Sequence, residues 1–223
     1  MLNPMPDSFD YRPPREPFLS IVHEDRDLVV LDKPSGLLSV AGNHPDLADC
    51  LEARVRTRYP TAAMVHRLDK DTSGLLVMAL NKKALAYVSQ QFEKREAEKD
   101  YQARVFGQLE GESGHVDMPI GIDWENKPRH YVDYEYGRPA QTDWTVIERE
   151  ERATRVRLVP LTGRTHQLRV HMLAIGHPIL GDEFYATGEA RHAADRLQLH
   201  AEHLGFRHPR TAEFVRFSSP CPF

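Results

Sequence analysis

Gly74 to Leu80 is an unbroken apolar run, bounded by Ser73 before it and Asn81 after it. A short run of this kind has strand character and belongs inside a sheet. Directly ahead of it, His66 to Gly74 carries one imidazole, two cations (Arg67, Lys70), two carboxylates (Asp69, Asp71) and two hydroxyls (Thr72, Ser73). A dense polar loop therefore abuts a buried strand. Such a loop is either a charged surface turn ended by Gly74 or a functional loop held still by its scaffold. Composition alone does not choose between the two.

The rest of the chain is read around this stretch. Residues 1–17 hold five prolines and few apolar residues, and are expected to form an extended arm. Phe18 to His23 and Asp27 to Asp32 read as short strands about the turn Glu24-Asp25-Arg26. Asp46 to Tyr59 is predicted helical, with Leu47, Leu51 and Val55 on one face. Lys82 to Glu96 is a second amphipathic helix with Leu85, Val88 and Phe92 facing inward. Asp100 to Leu109 alternates as a strand. Residues 110–139 are expected to be irregular. Ala140 to Glu148 and Thr154 to Leu161 read as a strand pair, Arg164 to Ile175 as a helix, and Arg196 to Phe206 with Thr211 to Phe217 as a closing hairpin. Strands outnumber helices and most links read as antiparallel. The expectation is one α+β domain, residues 18–223, on a mixed, mostly antiparallel sheet.

The length of 223 residues allows a sizeable core without staples. The two cysteines, Cys50 and Cys221, fit a reduced cytoplasmic protein and offer neither a disulfide framework nor a thiolate metal site. No apolar run reaches the length of a membrane span, and the first residues lack the pattern of a secretory signal. Net charge is −4, which globally argues against a nucleic-acid partner. Its distribution argues otherwise. From Arg152 to Gly181 there is no Asp or Glu, while Arg152, Arg155, Arg157, Arg164 and Arg169 all fall there. That is either a basic face for RNA or a strand face paired with acids from elsewhere.

No chemistry-bearing metal pattern emerges from the twelve histidines. His166 and His171 are five apart, and His200 and His203 lie on a predicted strand, where three apart means opposite faces. Phosphate-cradling glycine loops and a serine elbow are absent. What remains is a carboxylate. Asp69 follows apolar Leu68 and shortly precedes a buried strand, so a cation is expected beside it. Arg164, after the turn Thr162-Gly163, is a partner of the right type, because arginine keeps its charge and grips a carboxylate with two bonds. Such a pair is either structural or a held nucleophile.

His66-Arg67-Leu68-Asp69-Lys70-Asp71-Thr72-Ser73-Gly74-Leu75 resembles the signature of the RluA-type pseudouridine synthases. Lys99-Asp100-Tyr101 and Leu161-Thr162-Gly163-Arg164-Thr165-His166-Gln167-Leu168-Arg169 resemble the family's second and third motifs. Lys33-Pro34-Ser35-Gly36-Leu37, Gly176 to Asp182 and Leu199-His200-Ala201 match it as well, in the same order. The resemblance implies that Asp69 is the catalytic carboxylate, that Tyr101 contacts the target base and that Arg164 pairs with Asp69. It implies RNA contacts from Arg67, beside the nucleophile, and from Lys33, His166, Gln167 and Arg169. The catalytic pattern starts almost at once, so the small RNA-binding domain that many relatives carry ahead of it is not expected. The implied partners are tRNA anticodon stem-loops and a hairpin of large-subunit ribosomal RNA, with no membrane, no metal and no cofactor, acting as a monomer. Two rivals stand beside it: a glycosidase using Asp69, which needs a second carboxylate, and a non-catalytic RNA-binding module.

Overall fold

The structure is a computed structural model and describes residues 11–223. Most of the expected N-terminal arm lies outside the described residues. Its described part is tied down: the Tyr11 hydroxyl donates to Asp49 O at 2.7 Å and accepts from Leu38 N at 3.0 Å. The fold is α+β with mostly antiparallel strand pairing, as expected, and the chain divides into two compact units.

The first unit takes residues 11–99 and 200–222. It contains β1 (Ile21–Glu24), β2 (Leu28–Lys33), α1 (Leu51–Arg58), β3 (Ala63–Met64), β4 (Ser73–Ala79), α2 (Lys82–Glu93), and, late in the chain, β11 (Leu199–Arg207) and β12 (Phe214–Ser218). The apolar run becomes β4, buried along its whole length. β2 lies antiparallel to it from Lys33↔Gly74 to Leu28↔Ala79. β11 runs parallel to its start, with His200↔Ser73 and Ala201↔Gly74. Gly74 has φ +109°, and a Cβ there would stand 2.3 Å from Ala201 O, so only glycine admits this approach. Leu28, Val30, Leu75, Val77, Val88 and Phe206 are among the side chains that fill the core beneath.

Both helices of this unit start at side-chain caps. Asn81 Oδ1 accepts from Ala84 N at 3.0 Å and opens α2. The predicted helix Asp46 to Tyr59 is divided: Pro45–Leu47 makes a single 3₁₀ turn, and α1 begins at Leu51 behind the Cys50 cap. The reason is tertiary. Leu51 N and Glu52 N donate to Leu38 O (2.8 Å) and Ser39 O (3.1 Å), so the helix start is docked on the 38–39 turn.

The second unit takes residues 100–199 with Phe223. It contains β5 (Glu98–Phe106), β6 (Ser113–Asp117), β7 (Ile120–Ile122), β8 (His130–Val132), β9 (Gln141–Arg149), β10 (Ala153–Pro160), α3 (Gln167–Ala174) and α4 (Gly188–His192). β5, β10, β9 and β6 pair antiparallel in that order, and β7 with β8 forms a separate hairpin. Val105, Val156, Leu158, Leu168, Met172 and Ile179 are among its core residues. Residues 110–139, expected to be irregular, thus hold three short strands. Of β6 only Val116 is buried, which leaves no alternation in the sequence to read. α3 begins three residues later than predicted, because Arg164 to His166 form a turn of their own.

Candidate active site

Asp69 sits in the loop entering β4, and backbone bonds hold that loop on all sides. Leu68 O accepts from Ser39 Oγ (2.6 Å), and Leu68 N donates back to the same oxygen (3.1 Å). Asp69 O accepts from Thr72 N at 3.2 Å. Lys70 O accepts from Lys33 Nζ and from Gly36 N, both at 2.9 Å. Asp71 O accepts from Ser35 Oγ at 2.7 Å. Four successive carbonyls are therefore fixed, and with them the Cα that carries the Asp69 carboxylate. Asp69 itself is half-buried and Arg67 beside it is exposed.

Two histidines buttress the loop from within the same unit. His66 is half-buried, stacks on Phe92 at 4.5 Å, and accepts from Val77 N at 3.2 Å through Nε2. Desolvation, with the Lys99 ammonium as a smaller contribution, lowers its pKa to about 3, so the ring is neutral. His200 Nε2 donates to Ser219 O at 3.0 Å, which leaves Nδ1 to accept from the Ser73 hydroxyl at 2.9 Å. The Ser219 hydroxyl donates in turn to Asp32 Oδ2 at 2.7 Å.

In the second unit, the turn Thr162 to His166 presents Arg164, and Gln167 is its lock. Gln167 Oε1 accepts from Thr162 Oγ1 (2.6 Å) and Arg164 N (3.0 Å), while Nε2 donates to Gln141 O (2.8 Å) and Thr142 Oγ1 (3.0 Å). The Thr142 hydroxyl donates on to His171 Nδ1 (2.9 Å), and His171 Nε2 donates to Met118 O (2.9 Å). Burial lowers the His171 pKa, in keeping with a neutral ring. Arg164 is half-buried, with Nε donating to Pro139 O at 3.1 Å. Tyr101, on β5, is half-buried and packs against the core of this unit.

Four of the residues from which RNA contacts are expected are buried and hydrogen-bonded within the protein. Lys33 is wholly buried, and its ammonium donates to Pro34 O (2.9 Å), Leu37 O (2.8 Å) and Lys70 O (2.9 Å). Gln167 is buried with both ends of its amide engaged in the bonds above. Arg169, 2% exposed, makes a two-bond pair with the buried Asp182, both at 2.7 Å, and lies over the rings of Phe184 and Tyr185. His166 is buried, with Nδ1 on the Tyr185 hydroxyl at 2.7 Å.

Three arginines of the acid-free stretch lie beside acids from outside it. Arg152 pairs with Glu189, and Arg157 with Asp100 at 2.6 Å. Arg155 lies 3.8 Å from both Glu148 and Glu150 and bonds the carbonyl of Phe223. Of the two readings the sequence leaves open for this stretch, the strand face paired with acids describes Arg152, Arg155 and Arg157. Ser39 and Tyr185, which fix the Asp69 loop and the His166 turn, were missed. No local pattern marks either.

A family model described as RNA pseudouridylate synthase matches residues 27–174. The chain is 51% identical over 214 residues to the dual-specificity RNA pseudouridine synthase RluA of Pasteurella multocida, covering 96% of this chain and 98% of that one. It is 49% identical over 215 residues to the protein of the same name from Escherichia coli K12, with the same coverage. Among solved structures, human RNA pseudouridylate synthase domain containing 1 superposes with a TM-score of 0.77 at 34% identity, over 92% of this chain and 84% of that one. The human domain containing 4 protein gives 0.72 at 27% identity, over 91% and 88%.

Proposed function

The chain belongs to the RNA pseudouridylate synthase family, and from that premise we propose that it acts on hairpin loops of both tRNA and large-subunit ribosomal RNA, with Asp69 as its catalytic carboxylate. The activity itself is the isomerisation of uridine to pseudouridine in RNA. The breadth of substrate is carried over from the relatives, which are named for dual specificity.

The reaction breaks the N1–C1′ bond of uridine, turns the base and joins C5 to C1′. C5 loses a proton and N1 gains one, so nothing is oxidised and no co-reactant is consumed. A uridine held in a folded loop must first be flipped out of its stack. In this reading Asp69 supplies the anionic nucleophile, at C1′ or at C6 of the base, and Arg164 keeps that carboxylate ionised and aimed. Tyr101 stacks on the extruded uracil and its hydroxyl relays the proton. Arg67, exposed one turn of chain away, fills the space the uridine leaves. The observation that carries the reading is the fixing of four successive carbonyls about Asp69, since a nucleophile gains most from a backbone that does not move.

The test is to incubate the purified protein, without additives, with a tRNA anticodon stem-loop and with a large-subunit rRNA hairpin, and to quantify pseudouridine in each. Product is expected in both. Product in one alone removes the dual range, and product in neither removes the reading. We place the enzyme in the cytoplasm and assign the activity to the monomer. Among the described residues no helix is long and apolar enough to cross a membrane. Turnover confined to a dimer in sedimentation experiments overturns the second assignment.

A further inference from the structure

The β7–β8 hairpin and the turn behind it carry the most exposed aromatic rings among the described residues. Trp124 is 70% exposed, Tyr134 76% and Tyr136 81%, with Tyr131 nearly half exposed. They are not a frayed edge of the core. The hairpin face bearing Ile120 and Val132 packs on Val170 and Tyr185, and the opposite face bears Tyr131 across from Gly121. Behind β8, Asp133 Oδ1 accepts from both Glu135 N and Tyr136 N at 3.0 Å, and Asp133 O accepts from Gly137 N at 3.1 Å. These bonds close a fixed turn with Tyr134 and Tyr136 on its outside. Gly121 is required there, because a Cβ would stand 2.4 Å from Asp133 Oδ2. Over the Trp124 ring lies the Lys127 ammonium, 4.1 Å from its centre.

The hairpin is joined to the segment that presents Arg164. Pro139 O, just past the turn, accepts from Arg164 Nε at 3.1 Å. His130 N, on β8, donates to the Tyr185 hydroxyl at 2.8 Å, and that hydroxyl also bonds His166. Arg164 and the hairpin that carries these rings thus belong to one hydrogen-bonded framework within the second unit.

We propose that Trp124, Tyr131, Tyr134 and Tyr136 form a stacking platform for unpaired bases that flank the target uridine, and that this platform selects which loops are modified. The proposal rests on the RNA reading above. Flat rings with polar rims suit nucleobases, and two-torsion side chains lose little freedom on being covered. Charge points the same way. Arg152, Arg155, Arg157 and Arg169 each have an acidic partner within the protein, which lowers the net positive charge that stretch offers to phosphates and gives stacking a larger relative part. A base platform binds splayed nucleotides of any sequence and rejects loops that present none, which suits an enzyme serving unrelated hairpins.

The test uses the full chain and an RNA hairpin, with affinity from filter binding and turnover from release of tritium placed at C5 of the target uridine. Trp124→Ala, Tyr134→Ala and Tyr136→Ala are made singly, each with Phe as its ring-retaining control. The platform residues are expected to lose roughly fivefold or more in affinity as Ala and little as Phe. The slope of affinity against salt should stay unchanged. An abasic site beside the target uridine should weaken the parent, yet weaken the Ala variant no further, because both remove one stack. Parent-like affinity in all three Ala variants, or losses that add fully with the abasic site, overturns the platform. Absence of pseudouridine from the parent would instead overturn the catalytic reading, while the affinity comparison still decides the platform.

Discussion

The ammonium of Lys33, fully buried, donates at 2.9 Å to the carbonyl of Lys70, the residue that follows Asp69. Together with its bonds to Pro34 O and Leu37 O, it fastens two turns that are far apart in sequence. Lys33→Met keeps the stem and removes the donor, taking a hydrogen bond from three carbonyls, of which Lys70 O keeps Gly36 N. A loss on the order of 2–4 kcal/mol is expected in urea unfolding, with a fall in turnover. The salt slope of RNA binding should stay as in the parent. A slope flatter by about one unit would restore Lys33 as a phosphate contact.

Asp69→Asn is expected to abolish pseudouridine formation while leaving the unfolding midpoint and RNA affinity close to the parent's. The loop is held by its carbonyls, which the amide leaves in place, and only the anionic oxygen is lost. Near-parent turnover in this variant, with loss in Asp71→Asn, would move the chemistry to the wrong side of Lys70.

Tyr101→Phe separates two roles. It retains the ring and deletes the hydroxyl, so RNA affinity should hold while the single-turnover rate falls by roughly tenfold to a hundredfold or more, as for a lost general acid–base group. An unchanged rate would reduce Tyr101 to a platform.

Asp182→Asn leaves the Arg169 guanidinium buried without its anion. A destabilisation of about 3–5 kcal/mol is expected by chemical denaturation. Pairing Asp182→Leu with Arg169→Met should recover part of it, since a neutral pair has no charge to desolvate. Intact stability in Asp182→Asn, with a flatter salt slope, would show that Arg169 serves RNA after all.

His66 gives a pH dependence whose sign is fixed by its surroundings. Its folded pKa of about 3 lies below the unfolded value of 6.5, so between these values the unfolded chain binds the extra proton. Stability should therefore fall as pH drops below about 6.5, at up to about 1.4 kcal/mol per pH unit for this group, and level off near 3. His171, also lowered, acts in the same direction. His66→Gln should flatten the profile between pH 6 and pH 4, measured as the urea midpoint. An identical profile in parent and variant would remove His66 as its origin.

Where one local pattern dominated, the sequence was readable. The apolar run became β4, and the spacing of Leu85, Val88 and Phe92 became α2. Where side chains substitute for backbone partners, it was not. Gln167 spends its amide closing the turn before it, which delays α3 and makes a polar motif residue structural. Lys33 shows no apolar flank that would betray a buried cation, and its acceptors are carbonyls, which sequence does not reveal. The arginine run left two readings open for a related reason. Its counter-ions, Asp100, Glu148, Glu150 and Glu189, arrive from neighbouring strands and a short helix. The candidacy of this loop as the catalytic one was legible only through its motif. Physical reading alone stopped at a dense polar turn against a buried strand.

Every residue has a carbonyl, and the loop before β4 is gripped by four of them. The grip is therefore blind to the side chains it displays at Asp69, Lys70 and Asp71. Shape and reactivity are specified by different parts of the chain: Lys33, Ser35, Gly36 and Ser39 set the first, and the displayed side chains set the second. Substitutions at the display positions can then explore new chemistry or new substrates without rebuilding the mount. The mount itself, closed against Ala201 at Gly74, tolerates almost none.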